Sequence, residues 1–446
     1  MPELLLGIDV GTTYCKAVVL DADGRERSQS RVRTPWTAVS TGAEIDPSAL
    51  VRAAHRAAGE AIGGAPPGGA VAAIGIAGMA ETGVLINACG RPVGPAIAWH
   101  DARGADEAQA IAAELGGREF ATRTGLPASA LCSLAKLAWQ RDHLDAFAEA
   151  SRWLGVPEWI ARSLGAADVA ELSLASRTGL LELDRGAWWS PAVGWLGVGE
   201  GFLAEPVEAG TALGRVGDAL PAARGAVIVV AGHDHVAATV GAGAAGEGDV
   251  LHSAGTADVF VRTVDAHLEP DRVAEAVAGG VTVGWHVLRD RWALLSGNEL
   301  SVTLASILQL LGVDGEADRD ALTVAAAELG PTELRLEGAG GTAPLALHGI
   351  TSGMTPAHVW RAALEAGAEL SRATLARSDA VGGPRRRIVA TGGGVRGAAA
   401  RAVKEERLGP IEWSPVQEAT ARGAALLAGV AAGVYESADR VPAPVA

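Results

Sequence analysis

Short apolar runs that end in glycine or a polar residue recur along the chain, and they predict buried strands. The first run, residues 4–8, leads into Asp9, and residues 16–21 follow as its antiparallel partner. Residues 71–77 and residues 225–230 repeat the pattern later in the chain. Because these runs lack polar alternation, we expect strands that are buried on both faces.

Longer segments between the strands carry apolar residues at helical spacing. The pattern predicts helices over residues 46–62, 236–240, 356–378 and 418–433. Clusters of glycine and proline interrupt the pattern and mark loops, as in residues 382–384. Strands that alternate with helices in this way predict an α/β protein.

Two of the predicted strands end in a Gly-Thr turn. Glycine lets backbone N–H groups approach a phosphate, and threonine adds a hydroxyl donor. Lys16 lies close to the first turn and adds a positive charge. A plain hairpin explains either turn equally well when each is taken alone. The candidate phosphate contacts are Gly11, Thr12, Thr13, Lys16, Gly255 and Thr256.

Further strand ends carry glycine where a nucleotide would lie. Residues 292–296 end at Gly297, and residues 388–390 lead into Thr391 and a run of glycine that includes Gly393 and Gly394. A loop of this kind lets an adenine or a ribose lie against bare backbone. Glycine-bearing strand ends around a central carboxylate suit ATP.

Carboxylates stand at three predicted strand ends, where ligands bind in open α/β sheets. Asp9 is placed to hold Mg²⁺ through water, because this ion takes few protein ligands. Asp234, between His233 and His235, is the candidate general base for a substrate hydroxyl. The His-Asp-His run is a weaker metal candidate, because neighbours in a strand end seldom converge on one ion. Glu81 is interpreted as a ligand contact.

Two alternatives to these interpretations concern single motifs. Asp101 is interpreted as a helix cap or as the partner of Arg103 in a salt bridge, in preference to a ligand contact. A serine hydrolase is disfavoured because the sequence has no nucleophile elbow.

The composition describes a globular chain that carries a surplus of negative charge. Its 446 residues are 49% hydrophobic and 20% charged, and the net charge is −15. This charge argues against nucleic acid and against an anionic membrane surface as partners. Arginine supplies almost all positive charge, since Lys16, Lys136 and Lys404 are the only lysines.

Three scattered cysteines, Cys15, Cys89 and Cys132, make neither a disulfide framework nor a zinc spacing. They favour a reducing, cytoplasmic location. The apolar run near the N-terminus is too short for a signal peptide. No apolar run reaches the length of a transmembrane helix.

Taken together, the motifs resemble those of the FGGY carbohydrate kinases, which have the actin/hexokinase/Hsp70-type ATPase fold. The resemblance extends over about residues 4–433 and rests on the order and spacing of five motifs. These motifs are residues 7–13, residues 99–103 (Trp-His-Asp-Ala-Arg), residues 232–234 (Gly-His-Asp), residues 253–256 (Ser-Ala-Gly-Thr), and residues 391–394 with residues 408–409.

The resemblance implies an α/β protein with a two-lobed actin-like (ribonuclease H-like) fold, in which duplicated lobes enclose a central cleft. Residues 1–241 would form the lobe that carries the sugar site and the first phosphate loop. Residues 242–446 would form the lobe that carries the second phosphate loop and the adenosine loop. The implied activity is ATP- and Mg²⁺-dependent phosphorylation of a hydroxyl of a small sugar or polyol, and a homodimer is also expected.

The resemblance also assigns roles to single residues. Asp234 matches the catalytic base and Asp9 the metal-linked aspartate. Thr13 and Lys16 match the first phosphate loop, Gly255 and Thr256 the second, and Gly393 and Gly394 the adenosine loop. The expected substrate contacts are Glu81, Thr82, Trp99, Asp234 and His235.

Some positions depart from the family pattern and put the substrate in doubt. Glycerol kinases carry Gln-Arg-Glu-Thr where this chain has residues 79–82 (Met-Ala-Glu-Thr), and xylulokinases carry Gln-Met-His. Glu81 together with His235 favours several hydroxyl contacts and thus a polyol or a ketose. Two alternatives to an active kinase are a non-catalytic sugar-binding relative and another ATPase on the same fold.

Overall fold

The computed structural model describes residues 3–254, 258–265, 268–341, 344–392 and 398–444. The chain forms two compact units. Unit 1 comprises Met1–Gly243, Val264–Ala293 and Glu418–Ala446, and unit 2 comprises Ala244–Thr263 and Leu294–Gln417. The expected boundary between the two sequence domains at residues 241 and 242 stays a prediction.

Within the described residues the strands are, in chain order, β1 (Glu3–Val10), β2 (Tyr14–Asp21), β3 (Glu26–Arg33), β4 (Trp36–Val39), β5 (Gly42–Ile45), β6 (Ala70–Gly78), β7 (Gly83–Ile86), β8 (Ala96–Ile97), β9 (Arg152–Gly155), β10 (Ala170–Glu171), β11 (Leu181–Glu182), β12 (Ala187–Trp188), β13 (Pro206–Val207), β14 (Gly214–Arg215), β15 (Val227–His233), β16 (Asp249–Ala254), β17 (Asp258–Val264), β18 (Thr282–Trp285), β19 (Trp292–Asn298), β20 (Arg335–Glu337), β21 (Ala346–His348), β22 (Arg387–Thr391) and β23 (Glu412–Trp413).

The α-helices of the same residues are α1 (Pro47–Gly64), α2 (Ala105–Glu114), α3 (Gly117–Thr124), α4 (Ser133–His143), α5 (Val156–Leu164), α6 (Leu172–Ala175), α7 (Ser190–Leu196), α8 (Asp234–Ala242), α9 (Pro270–Ala278), α10 (Leu300–Leu310), α11 (Glu316–Glu328), α12 (Pro356–Gly382), α13 (Ala398–Leu408) and α14 (Ala419–Ala431). None of the described helices is long and apolar enough to cross a membrane.

Unit 1 is built on a six-stranded sheet of order β14-β15-β6-β1-β2-β3. β1 and β2 are antiparallel, as the sequence predicts, with Asp9 opposite Lys16. β1 and β15 both run parallel to β6, which lies between them. The carboxyl ends of three strands therefore meet at one edge of this sheet.

Helices cover both faces of the unit 1 sheet, which explains why its strands lack polar alternation. Leu6 and Ile8 of β1 share a buried cluster with Leu50 of α1. On the other face α14 packs almost directly on the strand backbone: a Cβ added at Gly7 would lie 1.7 Å from the carbonyl oxygen of Ala421. The C-terminal helix is thus held against the first strand of the chain.

Unit 2 repeats the strand arrangement found at the start of the chain. β16 and β17 form an antiparallel hairpin, and β16 runs parallel to β22. The strands β19-β17-β16-β22-β23 are neighbours in that order. Leu375 of α12 and Leu408 of α13 pack on this sheet.

Candidate active site

Three carboxylates meet at the edge of the unit 1 sheet where β1, β6 and β15 end. Asp9 and Gly232 both lie opposite Ala77 of β6, so the two outer strands end level with each other. Glu81 follows β6, and Asp234 follows β15. The strands that carry Asp9 and Asp234 are two strand spacings apart, roughly 10 Å. Ligands of open α/β sheets bind at such an edge.

The β1–β2 turn has its carbonyl oxygens occupied, and two of its N–H groups are open among the described residues. Thr34 donates its hydroxyl to the carbonyl of Gly11 (2.7 Å) and its N–H to the carbonyl of Thr13 (3.1 Å). Trp36 Nε1 donates to the carbonyl of Thr12 (2.7 Å). Within the described residues the N–H groups of Thr12 and Thr13 make no hydrogen bond. The turn therefore presents donors, which suits a phosphate.

Asp9 is buried beside this turn without a hydrogen-bond partner for its Oδ1 among the described residues. The pKa of Asp9 is raised to about 8, chiefly by burial; the charge of Lys16 acts to lower this pKa, and the charges of Asp234 and Glu418 act to raise it. Lys16 Nζ lies 2.7 Å from Glu418 Oε2. Three carboxylates thus face a single ammonium group.

This surplus of negative charge fits a divalent cation. The described residues contain no group of three or more side chains spaced to ligate a metal on their own. Mg²⁺ does not need one, because it usually binds one or two carboxylates and takes its other ligands from water and phosphate. An unpartnered Asp9 oxygen beside a turn with open N–H groups fits this pattern.

Asp234 begins α8, where the helix dipole favours a negative charge. Its Oδ1 accepts a hydrogen bond from the N–H of His235 (2.6 Å) and lies 3.2 Å from His233 Nε2. Burial lowers the pKa of His233 to about 3, so its ring is neutral at pH 7. No hydrogen bond within the described residues reaches Asp234 Oδ2, which is therefore available to a ligand.

A buried hydrogen-bond network fixes the end of β15. The N–H of His233 donates to Ser173 Oγ (2.9 Å), and Ser173 Oγ donates to Glu171 Oε2 (2.6 Å). Glu171 also caps α6 by accepting from two backbone N–H groups. Gly232 (φ +99°) permits this approach, since a Cβ there would lie 2.4 Å from Ser173 Oγ. A bulge between Val230 and Gly232 completes the turn into α8.

The predicted substrate contacts lie in different environments. Glu81 is at the sheet edge in the left-handed region (φ +62°) and pairs with Arg177. Thr82 is buried and lines a cavity of about 10 Å³, which is the size of a water molecule. Trp99 donates its Nε1–H to Thr12 Oγ1 (3.0 Å), and His235 is 35% exposed beside Asp234. Their contacts with a sugar stay predictions.

Other predicted residues lie elsewhere or outside the described chain. Gly297 is exposed near the end of β19, in unit 2. Asp101 forms the expected salt bridge with Arg103 (2.8 Å), which lowers the pKa of Asp101 to about 2 although burial acts to raise it. The remaining predicted ATP contacts lie outside the described residues; they are Gly255, Thr256, Gly393 and Gly394.

Several residues of this site carry no signal in the sequence. Thr34 and Trp36 hold the β1–β2 turn from the far end of the next hairpin, and Glu418 reaches Lys16 from the C-terminal helix. Arg177 reaches Glu81 across 96 positions of sequence. A glutamate before a helix or an arginine in a loop is too common to mark a site.

Comparisons with known proteins match most of the chain. Residues 4–241 match the N-terminal domain, and residues 253–432 the C-terminal domain, of the FGGY family of carbohydrate kinases. A glycerol kinase of Bordetella parapertussis is 30% identical over 480 residues, covering 98% of this chain and 90% of that protein. A gluconokinase of Bacillus subtilis is 26% identical, covering 99% and 90%. The structure is similar to that of a xylulose kinase from Rhodospirillum rubrum (TM-score 0.88, 24% identity), covering 98% and 92%.

Proposed function

The chain belongs to the FGGY family of carbohydrate kinases, and we propose that Asp234 is the general base of its reaction. It is a carbohydrate kinase that transfers a phosphoryl group from ATP to a hydroxyl of a sugar or polyol. Both the family and the two-lobed actin-like fold expected from the sequence are confirmed.

The observation that carries the proposal is the asymmetric environment of the Asp234 carboxylate. Oδ1 is held by the His235 N–H and by proximity to His233, whereas Oδ2 is open. A base held through one oxygen presents its other oxygen in a defined direction. Phosphoryl transfer needs little more from the protein than positioning, charge stabilisation and such a base. The acceptor hydroxyl would give its proton to Oδ2.

The phosphate end of ATP would lie against the β1–β2 turn. The open N–H groups of Thr12 and Thr13 would donate to phosphate oxygens, and Lys16 would add its charge. Asp9 would hold Mg²⁺, through water as the sequence predicts. When bound, this ion would neutralise phosphate charge. The roles expected for Gly11, Gly255, Thr256, Gly297, Gly393 and Gly394 stay predictions.

The presence of Asp9, Lys16 and Asp234 at one edge favours the kinase over a non-catalytic relative. A homodimer and a cytoplasmic location stay predictions of the sequence. The acceptor is a small sugar or polyol, and its identity is the first thing to measure.

The proposal is tested by measuring ADP release with Mg-ATP across a panel of ketoses, polyols and aldonates. For the best acceptor, Asp234→Asn should lower kcat by about 10²–10⁴-fold, the usual contribution of a general base. The Kd for ATP should change little. Asn at position 234 keeps an oxygen that accepts the His235 N–H, so the start of α8 should be unchanged. Asp271→Asn, on an exposed salt bridge, is the matched control. Near-normal turnover of Asp234→Asn would remove Asp234 as the base.

A further inference from the structure

Thr12, in the β1–β2 turn, is held by two tryptophans from separate elements. Trp36, the first residue of β4, donates its Nε1–H to the carbonyl oxygen of Thr12 (2.7 Å). Trp99, which follows β8, donates its Nε1–H to Thr12 Oγ1 (3.0 Å). An indole has one donor and no acceptor, so the direction of both hydrogen bonds is unambiguous. One indole thus fixes the backbone of Thr12, and the other fixes its side chain.

The hydrogen bond from Trp36 sets the direction of the next N–H group of the turn. A peptide unit is planar and trans, so the carbonyl of Thr12 and the N–H of Thr13 point in opposite directions. Because Trp36 holds that carbonyl, the Thr13 N–H points away from Trp36. Thr34 acts in the same way one position earlier, because its hydroxyl holds the carbonyl of Gly11 (2.7 Å) and so orients the Thr12 N–H. Within the described residues neither N–H group makes a hydrogen bond.

The hydrogen bond from Trp99 sets the direction of a third donor. A hydroxyl group has one proton to donate and two lone pairs that accept. Because Thr12 Oγ1 accepts the Trp99 N–H, its own proton lies in another direction, and among the described residues no acceptor takes that proton. The turn therefore offers three oriented donors, which are the Thr12 N–H, the Thr12 hydroxyl and the Thr13 N–H.

The two indoles are themselves held in place. Both are partly buried and pack against the core of unit 1. The ring of His100 meets both rings edge-on, with its centroid 6.2 Å from that of Trp36 and 5.1 Å from that of Trp99. Donors that are fixed before a ligand arrives bind its charge without the cost of ordering them. The three rings are thus a rigid support for the turn.

We propose that Trp36 and Trp99 are positioning residues of the nucleotide site, which act through Thr12 to direct the donors of the turn towards the terminal phosphates of ATP. Neither tryptophan touches the phosphates itself. The N–H of Trp99 is committed to the turn, so only its ring remains for the acceptor contact that the sequence predicts. This inference rests on the proposed kinase function and names the side chains that give the turn its affinity for phosphate.

The test removes one indole N–H at a time and measures the Kd of Mg-ATP by calorimetric titration. Trp36→Phe and Trp99→Phe keep an aromatic ring in place, and each should raise this Kd by about 10-fold, as for loss of a hydrogen bond to a charged group. The KM for ATP should rise with it. In Trp36→Phe the Kd of the best acceptor should stay within about twofold of wild type.

Thr34→Val is a second variant that acts on the backbone of the turn. It removes the hydroxyl that holds the Gly11 carbonyl, so it should also raise the Kd of Mg-ATP. It serves where a tryptophan variant unfolds, as judged by thermal unfolding.

Two matched controls lose the same kind of hydrogen bond elsewhere in the chain. Trp159 donates its Nε1–H to the carbonyl oxygen of Pro47 (3.0 Å), and Trp360 donates its Nε1–H to Thr323 Oγ1 (2.9 Å). Trp159→Phe and Trp360→Phe should keep the wild-type Kd of Mg-ATP. A rise of this Kd in the controls as large as in the turn variants would mark all four tryptophans as packing residues and overturn the inference.

Thr12→Val separates the action of Trp99 from that of Trp36. It removes the hydroxyl of Thr12 and leaves the carbonyl. Adding Trp99→Phe to Thr12→Val should therefore change the Kd of Mg-ATP by less than about twofold, whereas adding Trp36→Phe should raise it about as much as in wild type. A merely structural role does not predict this difference, and equal effects of the two additions overturn the inference.

The outcomes separate this inference from the proposed function. A wild-type Kd of Mg-ATP in Trp36→Phe, Trp99→Phe and Thr34→Val overturns the inference and leaves the kinase proposal intact. Normal turnover of Asp234→Asn overturns the proposed base but not the inference, because the titration of Mg-ATP needs no turnover. Absence of Mg-ATP binding by wild type overturns both.

Discussion

The β1–β2 hairpin of unit 1 and the β16–β17 hairpin of unit 2 have the same strand arrangement. They differ in whether the buried aspartate of the hairpin is paired with other side chains. In both, two strands pair in antiparallel, and the first of them also pairs in parallel with another strand. Asp9 ends the first strand of one hairpin, and Asp258 begins the second strand of the other. Each lies within reach of one lysine.

Asp258 is fully compensated by side chains of its own unit. Lys404 Nζ donates to its Oδ2 (3.1 Å), Ser371 Oγ donates to the same oxygen (3.3 Å), and His252 Nε2 lies 3.2 Å from Oδ1. Burial acts to raise the pKa of Asp258, but His252 and Lys404 hold it below its ordinary value. This carboxylate is part of the folded core.

Asp9 has no such compensation. Its lysine is bound to Glu418 instead, and its Oδ1 has no partner among the described residues. The pKa of Asp9 is therefore raised, to about 8, where that of Asp258 is lowered. The difference teaches that a buried carboxyl group without partners marks a place for a ligand, whereas one that is paired with cations marks structure.

The largest expected effect comes from Asp9→Asn. We expect turnover to fall by about 10³-fold, the cost of losing a major electrostatic contact in a phosphoryl-transfer site. The free energy of unfolding should stay within about 1 kcal/mol of wild type or rise, because Asn replaces a buried carboxyl group whose raised pKa already leaves it largely protonated at pH 7. ADP release and urea unfolding measure the two quantities. Asp23→Asn, in the exposed turn after β2, is the control. A large loss of stability would place Asp9 with Asp258 as a structural residue.

Lys404→Met tests the other side of the comparison. It leaves Asp258 as a buried charge whose remaining partners are His252 and the Ser371 hydroxyl, and we expect the free energy of unfolding to fall by about 3 kcal/mol. The double variant Lys404→Met/Asp258→Asn should recover much of this loss, since the charge is then gone. Lys16→Met breaks a pair that is 20–29% exposed and should cost less than about 1 kcal/mol. Equal losses of unfolding free energy in Lys404→Met and Lys16→Met would contradict the distinction between a paired Asp258 and an unpaired Asp9.

The smallest effect is a pH dependence that His252 gives to unit 2. Burial and the charge of Lys404 lower the pKa of His252, so below about pH 6.5 the unfolded chain binds a proton that the folded chain does not. Stability therefore falls as the pH drops, by at most about 1.4 kcal/mol per pH unit for this group. His252→Gln should flatten the slope between pH 6.5 and 5 in urea unfolding. His348→Gln, at an exposed histidine, should not. An unchanged slope in His252→Gln would show that the pKa of this histidine does not differ between the folded and the unfolded chain.

Local patterns in the sequence were sufficient for the main elements of the fold. The apolar runs predict β1, β6 and β15, and helical spacing predicts α1, α12 and α14 close to their observed ends. The small strands β10, β12, β13 and β14 escaped prediction, because two residues carry too little periodicity. The packing of α14 in the first unit has no local signal in the sequence, because it depends on contacts with β1 more than 400 positions away.

The sequence by itself determined which carboxylates stand at strand ends, and that two Gly-Thr turns follow strands of similar design. Short-range patterns of apolar residues and glycine determine strand ends and turns. Only the tertiary structure decided which charges are paired: that Lys16 binds Glu418, that Asp9 is left alone, and that Arg177 reaches Glu81. Pairing depends on how distant elements pack, and a local pattern contains no information about which side chains that packing brings together.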